Sequence, residues 1–317
     1  MFSWMKMLSY MMMFMSFMVV LSSDSYFFMW VSFELNLVSF CYIMWEGKLF
    51  SSINSMMKYY IIQSFSSMIF LISLIISESI QFFNLSMNFL SLMMIFKMGM
   101  FPFMFWLSEV VEGMSWESLI MFFTGQKVIP FYVMTLMDFY YMSIIIIMSI
   151  FTGIIMMFNQ MSLRKFLVYS SLVHSSWMMS SIEVGLMVWI IYLFIYFMMM
   201  SSFYLWKNLD SFFQLKYLKM DDLMMILIIF FNLSGLPPFL GFLSKMFIMF
   251  YMWNYNFSIL VYLIMGSIIG SYIYLNYMVM MFFLKNYKIS KNNKKMKYKL
   301  FFMMLSYTLF ISLLFFF

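Results

Sequence analysis

Long apolar runs separated by short polar stretches repeat along the whole chain. A helix of about 20 apolar residues spans the hydrocarbon core of a bilayer. On that rule the sequence predicts eleven membrane-spanning segments, at 5–22, 26–45, 57–77, 80–107, 117–137, 140–158, 166–182, 185–206, 222–252, 257–284 and 300–317. The predicted fold class is therefore an all-α polytopic membrane protein.

Two of these segments contain helix breakers near their middle. The fourth carries Gly99 and Pro102 in KMGMFPF, and the ninth carries the run SGLPPF at 234–239. Because the two segments lie five apart, they cross the membrane in opposite directions. Paired broken helices in matching positions are typical of inverted repeats. We therefore expect one membrane domain with two inverted five-helix repeats, each with a broken helix, plus a C-terminal helix: 1–139, 140–284, a basic loop at 285–299, and 300–317.

Pro130 follows Lys127 in the fifth segment, and the sequence predicts that it also interrupts its helix. A proline has no N–H and crowds the carbonyl group four residues earlier, so the Gln126 carbonyl is expected to be free. Pro102 would free the Met98 carbonyl in the same way, so free carbonyls would lie close to the ammonium groups of Lys97 and Lys127.

The basic residues test the segment count. With eleven segments, fifteen of the eighteen Lys and Arg residues fall on one side of the membrane, and the facing loops carry only acids. The remaining three are Lys97, Lys127 and Lys245, inside the membrane. The positive-inside rule therefore places the amino terminus on the matrix side. The lysine-rich loop 285–299 is interpreted as a topology signal, with contact to anionic lipid as the alternative.

Composition narrows the compartment and the chemistry. There is no alanine, against 47 Met and 44 Phe, which favours an AT-rich coding sequence read with an organelle code and hence a mitochondrial protein. One cysteine and one histidine cannot hold an iron–sulfur cluster or a haem between two imidazoles. No glycine-rich phosphate loop follows a strand, so no nucleotide site is predicted. We expect no bound cofactor or metal, and no nucleic-acid partner.

Five ionisable residues lie near the midplane of predicted segments: Glu34, Lys97, Lys127, His174 and Lys245. A charge at that depth costs about 2.5–3.5 kcal/mol on insertion scales, so such residues usually face a protein interior or a wet path. Glu34 is the natural partner of Lys97, and a purely structural salt bridge is the alternative. Five such groups in one apolar chain favour a proton relay.

His174 lies in a serine-rich helix, LVYSSLVHSSWMM. Ser170 is four residues earlier and shares its face, so the two side chains could join water in a proton wire. A satisfied core histidine is the alternative interpretation.

Six stretches between about 30 and 250 carry a family resemblance: FELNLVSF, MKYYIIQS, KMGMFPFMFWLSEVVEG, TGQKVIP, NQMSLRKFLVYSSLVHSSWMM and NLSGLPPFLGFLSKM. Together they resemble the antiporter-like membrane subunits of respiratory complex I, the mitochondrial NADH:ubiquinone oxidoreductase. Eleven segments suit the shortened form found in animals. The family commonly has His and Trp where this chain has Met104 and Gly125.

The resemblance implies roles for the buried residues. Glu34 and Lys97 would be the modulating pair, Lys127 the connecting lysine, and Lys245 the lysine that exchanges protons toward the far side. His174 resembles the family's histidine on the hydrophilic axis.

The resemblance also implies a function. The chain would be a core membrane-arm subunit of a proton-translocating enzyme, without redox chemistry of its own. NADH, FMN, iron–sulfur clusters and ubiquinone would bind other subunits. Other membrane-arm subunits, including other antiporter-like ones, and membrane lipids would be its partners. A stand-alone cation/proton antiporter and a structural spacer of the membrane arm remain as alternatives.

Overall fold

The computed structural model describes residues 2–45, 50–79, 83–137, 139–204, 217–218, 220–237, 239–283 and 286–287. These residues form helices and one two-residue parallel strand pair, β1 (Tyr217–Leu218) with β2 (Asn286–Tyr287). The helices are α1 (Phe2–Ser22), α2 (Tyr26–Trp45), α3 (Phe50–Ser79), α4 (Phe83–Met98), α5 (Phe105–Glu112), α6 (Trp116–Thr135), α7 (Met142–Phe158), α8 (Leu163–Val184), α9 (Leu186–Tyr204), α10 (Met220–Ser234), α11 (Leu240–Tyr255) and α12 (Phe257–Phe283).

The predicted all-helical membrane architecture is confirmed for the described part of the chain. Five helices there are long and apolar enough to cross a membrane: Trp4–Ser22, Tyr26–Trp45, Phe50–Ser77, Leu186–Phe203 and Phe257–Met280. The eleventh predicted segment, 300–317, lies outside the described residues. So does the basic loop 285–299, apart from Asn286–Tyr287.

Both predicted helix breaks are present. The fourth segment is divided into α4 and α5, and the ninth into α10 and α11. Each first half ends at a glycine in the left-handed region, Gly99 with φ 65° and Gly235 with φ 73°. The Gly99 N–H donates to the Phe96 carbonyl at 3.0 Å and the Met100 N–H to the Ile95 carbonyl at 3.1 Å, which is a Schellman cap. Glycine adopts this conformation without a Cβ penalty, so both breaks follow from local sequence.

The prediction that Pro130 interrupts its helix is wrong. Pro130 lies inside the continuous helix α6. A proline removes one backbone hydrogen bond, and in membrane helices packing against neighbours maintains the helix on both sides of it. Helix α6 has such neighbours, since it packs against α1, α2 and α4. No glycine with a positive φ accompanies Pro130, unlike the two breaks.

The chain divides into two compact units, Met1–Ile182 and Glu183–Phe317. In the first, α2 packs between α1 and α3, α3 packs against α4 and α5, and α6 contacts α1, α2 and α4. Helix α8 is buried at every position from 166 to 181. In the second, α11 packs against α9, α10 and α12.

The break after α4 generates the first prediction. A Cβ at Gly99 would lie 2.5 Å from the side chain of Leu107, and the φ there is +65°. Gly99→Ala is therefore expected to lower the free energy of unfolding by roughly 1–2 kcal/mol. Thermal unfolding of the purified protein in its native assembly measures the change.

Gly270→Ala is the matched control. Its Cβ would meet nothing within 4 Å and its φ is ordinary for a helix, so the same measurement should show no loss of stability. Equal destabilisation by both substitutions would contradict the role given to Gly99.

Candidate functional site

Lys97 is held by an aromatic ring. It lies in the last turn of α4, is 7% exposed, and its Nζ is 3.6 Å from the centroid of the Phe33 ring on α2. Phe33 is in turn fixed by an edge-on contact with Phe70 of α3, with ring centroids 5.6 Å apart. The negative face of an aromatic ring attracts a cation, most strongly where water is excluded. The α2 helix therefore stabilises the Lys97 ammonium with a π face.

Glu34 follows Phe33 in sequence but points elsewhere. Its Oε1 lies 2.5 Å from the Ser67 hydroxyl of α3. It also borders a cavity of about 410 Å³ between α1 and α2. Among the described residues Glu34 and Lys97 form no direct ion pair, but the Glu34 carboxylate acts on Lys97 electrostatically. The expected partnership is therefore a longer-range interaction and not a direct contact. Successive residues on a helix point about 100° apart, and here Phe33 takes the position facing Lys97.

Lys127 joins α6 to α8. Its Nζ donates to the backbone carbonyl of Ser171 at 2.8 Å, and Lys127 is 7% exposed. The acceptor is thus on a neighbouring helix, and not the Gln126 carbonyl that Pro130 was expected to free. His174 is three residues beyond Ser171 on α8 and is 2% exposed. One hydrogen bond therefore connects Lys127 to the helix that carries His174.

The serines of α8 bond to their own helix. Ser170 donates to the Leu167 carbonyl and Ser175 to the Leu172 carbonyl, each at 2.8 Å. A hydroxyl has one hydrogen and two lone pairs, so these serines remain acceptors while their hydrogens are engaged. Ser170 is not turned to donate to His174 in this arrangement. Around His174 the serines provide acceptor oxygens in an otherwise apolar helix.

Lys245 belongs to the second unit and uses the broken helix there. Its Nζ donates to the Ser234 carbonyl at 2.8 Å, and Ser234 is the last residue of α10. A Cβ at Gly235 would lie 2.8 Å from that Nζ. The break therefore supplies both a carbonyl with no helical N–H partner and the space for the ammonium to reach it.

Sequence reasoning missed a buried amide cluster beside Lys127. Gln126 exchanges hydrogen bonds with Asn36 of α2, at 2.9 Å from Asn36 Nδ2 and 3.2 Å to Asn36 Oδ1. Its Oε1 also accepts from the Tyr59 hydroxyl of α3 at 2.8 Å. The sequence signal is an Asn and a Gln within apolar segments, which carry no formal charge. The cluster ties α2, α3 and α6 together next to Lys127.

An ion-pair cluster lies at one surface of the first unit. The acids come from the corner between α5 and α6, and each pairs with a base from another helix: Lys58–Glu109 at 2.7 Å, Lys6–Glu117 at 2.7 Å and Lys165–Glu112 at 2.5 Å. The hydrogen bond from Lys58 holds the pKa of Glu109 below its usual range, and Glu112 raises the pKa of Lys165. The lowered carboxyl pKa keeps Glu109 ionised until the pH falls below the usual carboxyl range, and the raised amine pKa keeps Lys165 charged until the pH rises above the usual amine range. Both ion pairs therefore persist at neutral pH, although exposed pairs contribute little to stability.

No three His, Cys, Asp or Glu side chains within the described ranges group in a way that could hold a metal ion. The polar atoms at the centre of the first unit are instead ammonium, carboxylate, amide, imidazole and hydroxyl groups. These groups can pass or hold protons, and they are buried in apolar helices.

Buried lysines at broken or proline-containing helices are typical of multi-helix membrane proteins that move ions or protons. The family model described as "NADH:quinone oxidoreductase/Mrp antiporter, TM" matches residues 23–270. The chain therefore belongs to this family of antiporter-like transmembrane proteins. Within the family it is similar to proteins called NADH-ubiquinone oxidoreductase chain 2. The relative from Anopheles gambiae is 36% identical over 242 residues, covering 72% of this chain and 71% of that protein.

Two further comparisons agree. The chain 2 protein of Rhipicephalus sanguineus is 31% identical over 278 residues, covering 86% of this chain and 88% of that protein. Among solved structures, a chain of respiratory complex I from Thermus thermophilus with bound aureothin superposes with a TM-score of 0.78. It is 17% identical, and the match covers 94% of this chain and 75% of that one. At that identity the likeness shows the fold.

The amide cluster generates the second prediction. Asn36→Leu removes the hydrogen-bond acceptor of Gln126 Nε2, while Gln126 Oε1 keeps the Tyr59 hydroxyl as its donor. A polar group left unsatisfied in a buried site costs about 1–3 kcal/mol. We expect lower thermal stability of the assembled protein by that order. Ser39→Ala is the control, because Ser39 lies one turn further on α2 and bonds only to its own helix at the Asn36 carbonyl. A stable Asn36→Leu protein would show that the cluster does not hold α2 to α6.

Proposed function

We propose that this chain is a membrane-arm subunit of a proton-pumping NADH:quinone oxidoreductase. The observation that carries this proposal is the similarity to the chain 2 relatives over most of both chains, at up to 36% identity in the relatives described above. The family model and the fold of a respiratory complex I chain agree with it. The chain is then part of an enzyme complex, with other membrane-arm subunits as its neighbours.

Within that complex, we infer that Glu34, Lys97, Lys127, His174 and Lys245 carry protons. Support comes from the contacts of the three lysines. Lys97 lies on an aromatic face, and Lys127 and Lys245 donate to backbone carbonyls. A carbonyl accepts a hydrogen bond from a neutral amine as well as from an ammonium group, so these partners tolerate both protonation states.

The finer architecture belongs to the same proposal. The chain would span the inner membrane of mitochondria eleven times, with its amino terminus in the matrix. Residues 1–139 and 140–284 would be inverted repeats, followed by the basic loop 285–299 and the helix 300–317. The matching glycine ends of α4 and α10, at φ 65° and 73°, support equivalent broken helices in the two repeats.

Electron transfer would take place in other subunits. With one cysteine and one histidine, this chain has few ligands for a redox centre. NADH, FMN, the iron–sulfur clusters and ubiquinone would therefore bind elsewhere in the complex. The free energy of electron transfer would reach this chain as changes in charge and hydration near Glu34. Membrane lipids would contact this chain, and it would bind no nucleic acid.

A native gel separates the subunit from a stand-alone antiporter. Gently solubilised source membranes are separated, stained for NADH dehydrogenase activity, and this chain is located by mass spectrometry. We expect it only in a very large NADH-oxidising band. A small species without that activity, able to exchange cations for protons after purification, would support the antiporter instead.

Lys127 gives the third prediction. Lys127→Met keeps the length and apolar stem of the side chain but cannot hold a proton. We expect the complex to assemble in normal amount while NADH-linked proton translocation per electron falls by more than about half. Proton uptake by sealed vesicles, measured against NADH oxidation, provides the ratio.

Lys58→Met is the matched control, since Lys58 makes a surface ion pair with Glu109 and should be silent in this assay. A structural spacer would behave differently from a relay. In that case Lys127→Met would reduce the amount of assembled complex, and the remaining complexes would pump normally.

A further inference from the structure

Three polar side chains form one stripe along α3. Tyr59, Gln63 and Ser67 are spaced by four residues, so they lie on the same face of the helix. They are 1%, 8% and 0% exposed. Tyr60, which follows Tyr59 in sequence, is 48% exposed and lies off the stripe. Burying a tyrosine, a glutamine and a serine on an apolar helix is unfavourable unless each finds a hydrogen-bond partner.

Each member of the α3 stripe bonds to a different part of the candidate site. The Tyr59 hydroxyl donates to Gln126 Oε1 at 2.8 Å, next to Lys127 in sequence. Gln63 Nε2 donates to the backbone carbonyl of Lys97 at 3.2 Å. Ser67 bonds to the Glu34 carboxylate. One face of one helix therefore contacts Glu34 and the immediate surroundings of Lys97 and Lys127, the two buried lysines described in the first unit.

The Ser67 contact can respond to the protonation state of Glu34. The Ser67 oxygen lies 2.5 Å from Glu34 Oε1 and 2.9 Å from the Ser64 carbonyl of its own helix. When Glu34 is ionised, the hydroxyl hydrogen is donated to the carboxylate. When Glu34 is protonated, the carboxyl donates to the Ser67 oxygen and the hydroxyl turns to Ser64, because a hydroxyl both donates and accepts. The direction of this bond thus reverses with the charge of Glu34.

We propose that the α3 stripe is the element that positions Lys97 and the Gln126–Lys127 turn in response to the charge of Glu34. This proposal rests on the proposed function, and it adds three positioning residues to the five that would carry protons. The stripe covers eight residues, or about 12 Å along a helix. A hydrogen bond operates over a range of about 0.5 Å, so a small displacement or rotation of α3 changes all three contacts together.

Tyr59→Phe and Gln63→Leu test the α3 stripe in the complete complex. Tyr59→Phe keeps the ring, which packs at 5.0 Å from Phe40, and removes only the hydroxyl. We expect normal assembly and unchanged KM for NADH and quinone. The turnover number and the coupled proton translocation per complex should each fall roughly two- to tenfold, the change expected for one lost hydrogen bond. An uncoupler should not restore turnover, because proton transfer itself is slowed.

Tyr60→Phe and Ser64→Ala are the matched controls. They make the same chemical changes on the other face of α3, where Ser64 donates to its own helix at the Ile61 carbonyl. Both should pump at the wild-type rate. Ser67→Ala is the third stripe variant and the smallest change, so it keeps the test informative if a larger substitution lowers the yield of complex.

The result that overturns the stripe is a wild-type pumping rate per assembled complex in all three stripe variants. If Lys127→Met is impaired while those variants are normal, the stripe is overturned and the proposed function stands. If Lys127→Met also pumps at the wild-type rate, that result overturns both the stripe and the role proposed for Lys127. Impaired pumping in the control variants equal to that of the stripe variants would overturn the stripe as well.

Discussion

The arrangement of the buried helices depends on how three lysine ammonium groups are accommodated in an apolar interior. Desolvation opposes a charge there, and a carboxylate partner would lower the energy while fixing the charge in place. The direct contacts described for the three buried lysines are of another kind: the Phe33 ring for Lys97, on which Glu34 acts only at longer range, and the carbonyls of Ser171 and Ser234 for Lys127 and Lys245. Such partners lower the free energy of the protonated lysine, but they do not require the lysine to be protonated. That is the property a group needs if its proton is to arrive and leave.

Two of the carbonyl acceptors described above, those of Ser234 and Lys97, lie where helices break, whereas the Ser171 carbonyl lies inside the continuous helix α8. A continuous helix uses its carbonyls internally, whereas the last turn of an interrupted one leaves them available. At Ser234 the interruption, its glycine and the lysine form one unit, because Gly235 leaves the space that the Lys245 Nζ occupies. At α4 the same kind of end is used differently, since Gln63 donates to the carbonyl of Lys97 itself. Equivalent local sequences thus serve unlike contacts in the two units.

Much of this could be predicted from the sequence, because its signals are local. The length of the apolar runs predicted the membrane helices, and a glycine shortly before a proline predicted the ends of α4 and α10. Pro130 misled because a lone proline costs one hydrogen bond, and packing of α6 maintains the helix. The direct pairing of Glu34 with Lys97 also failed, since which residue of α2 faces Lys97 depends on helix rotation by one residue, and that rotation is set by tertiary packing. The contacts of Asn36, Tyr59 and Gln126 were missed for a similar reason: uncharged polar residues reveal their partners only when three helices are brought together.

We infer that proton transfer requires the three buried lysines and that their burial lowers the stability of the complex. Replacing Lys97, Lys127 and Lys245 together by methionine tests it most directly, because methionine removes the charge and keeps an apolar stem of similar length. The complex carrying the triple variant would be purified, and its thermal unfolding and its protons translocated per NADH oxidised would be measured on the same preparation. We expect the complex to be at least as stable as the wild type, with proton translocation clearly reduced. A complex that unfolds much more readily, yet pumps the wild-type number of protons per NADH, would contradict this inference.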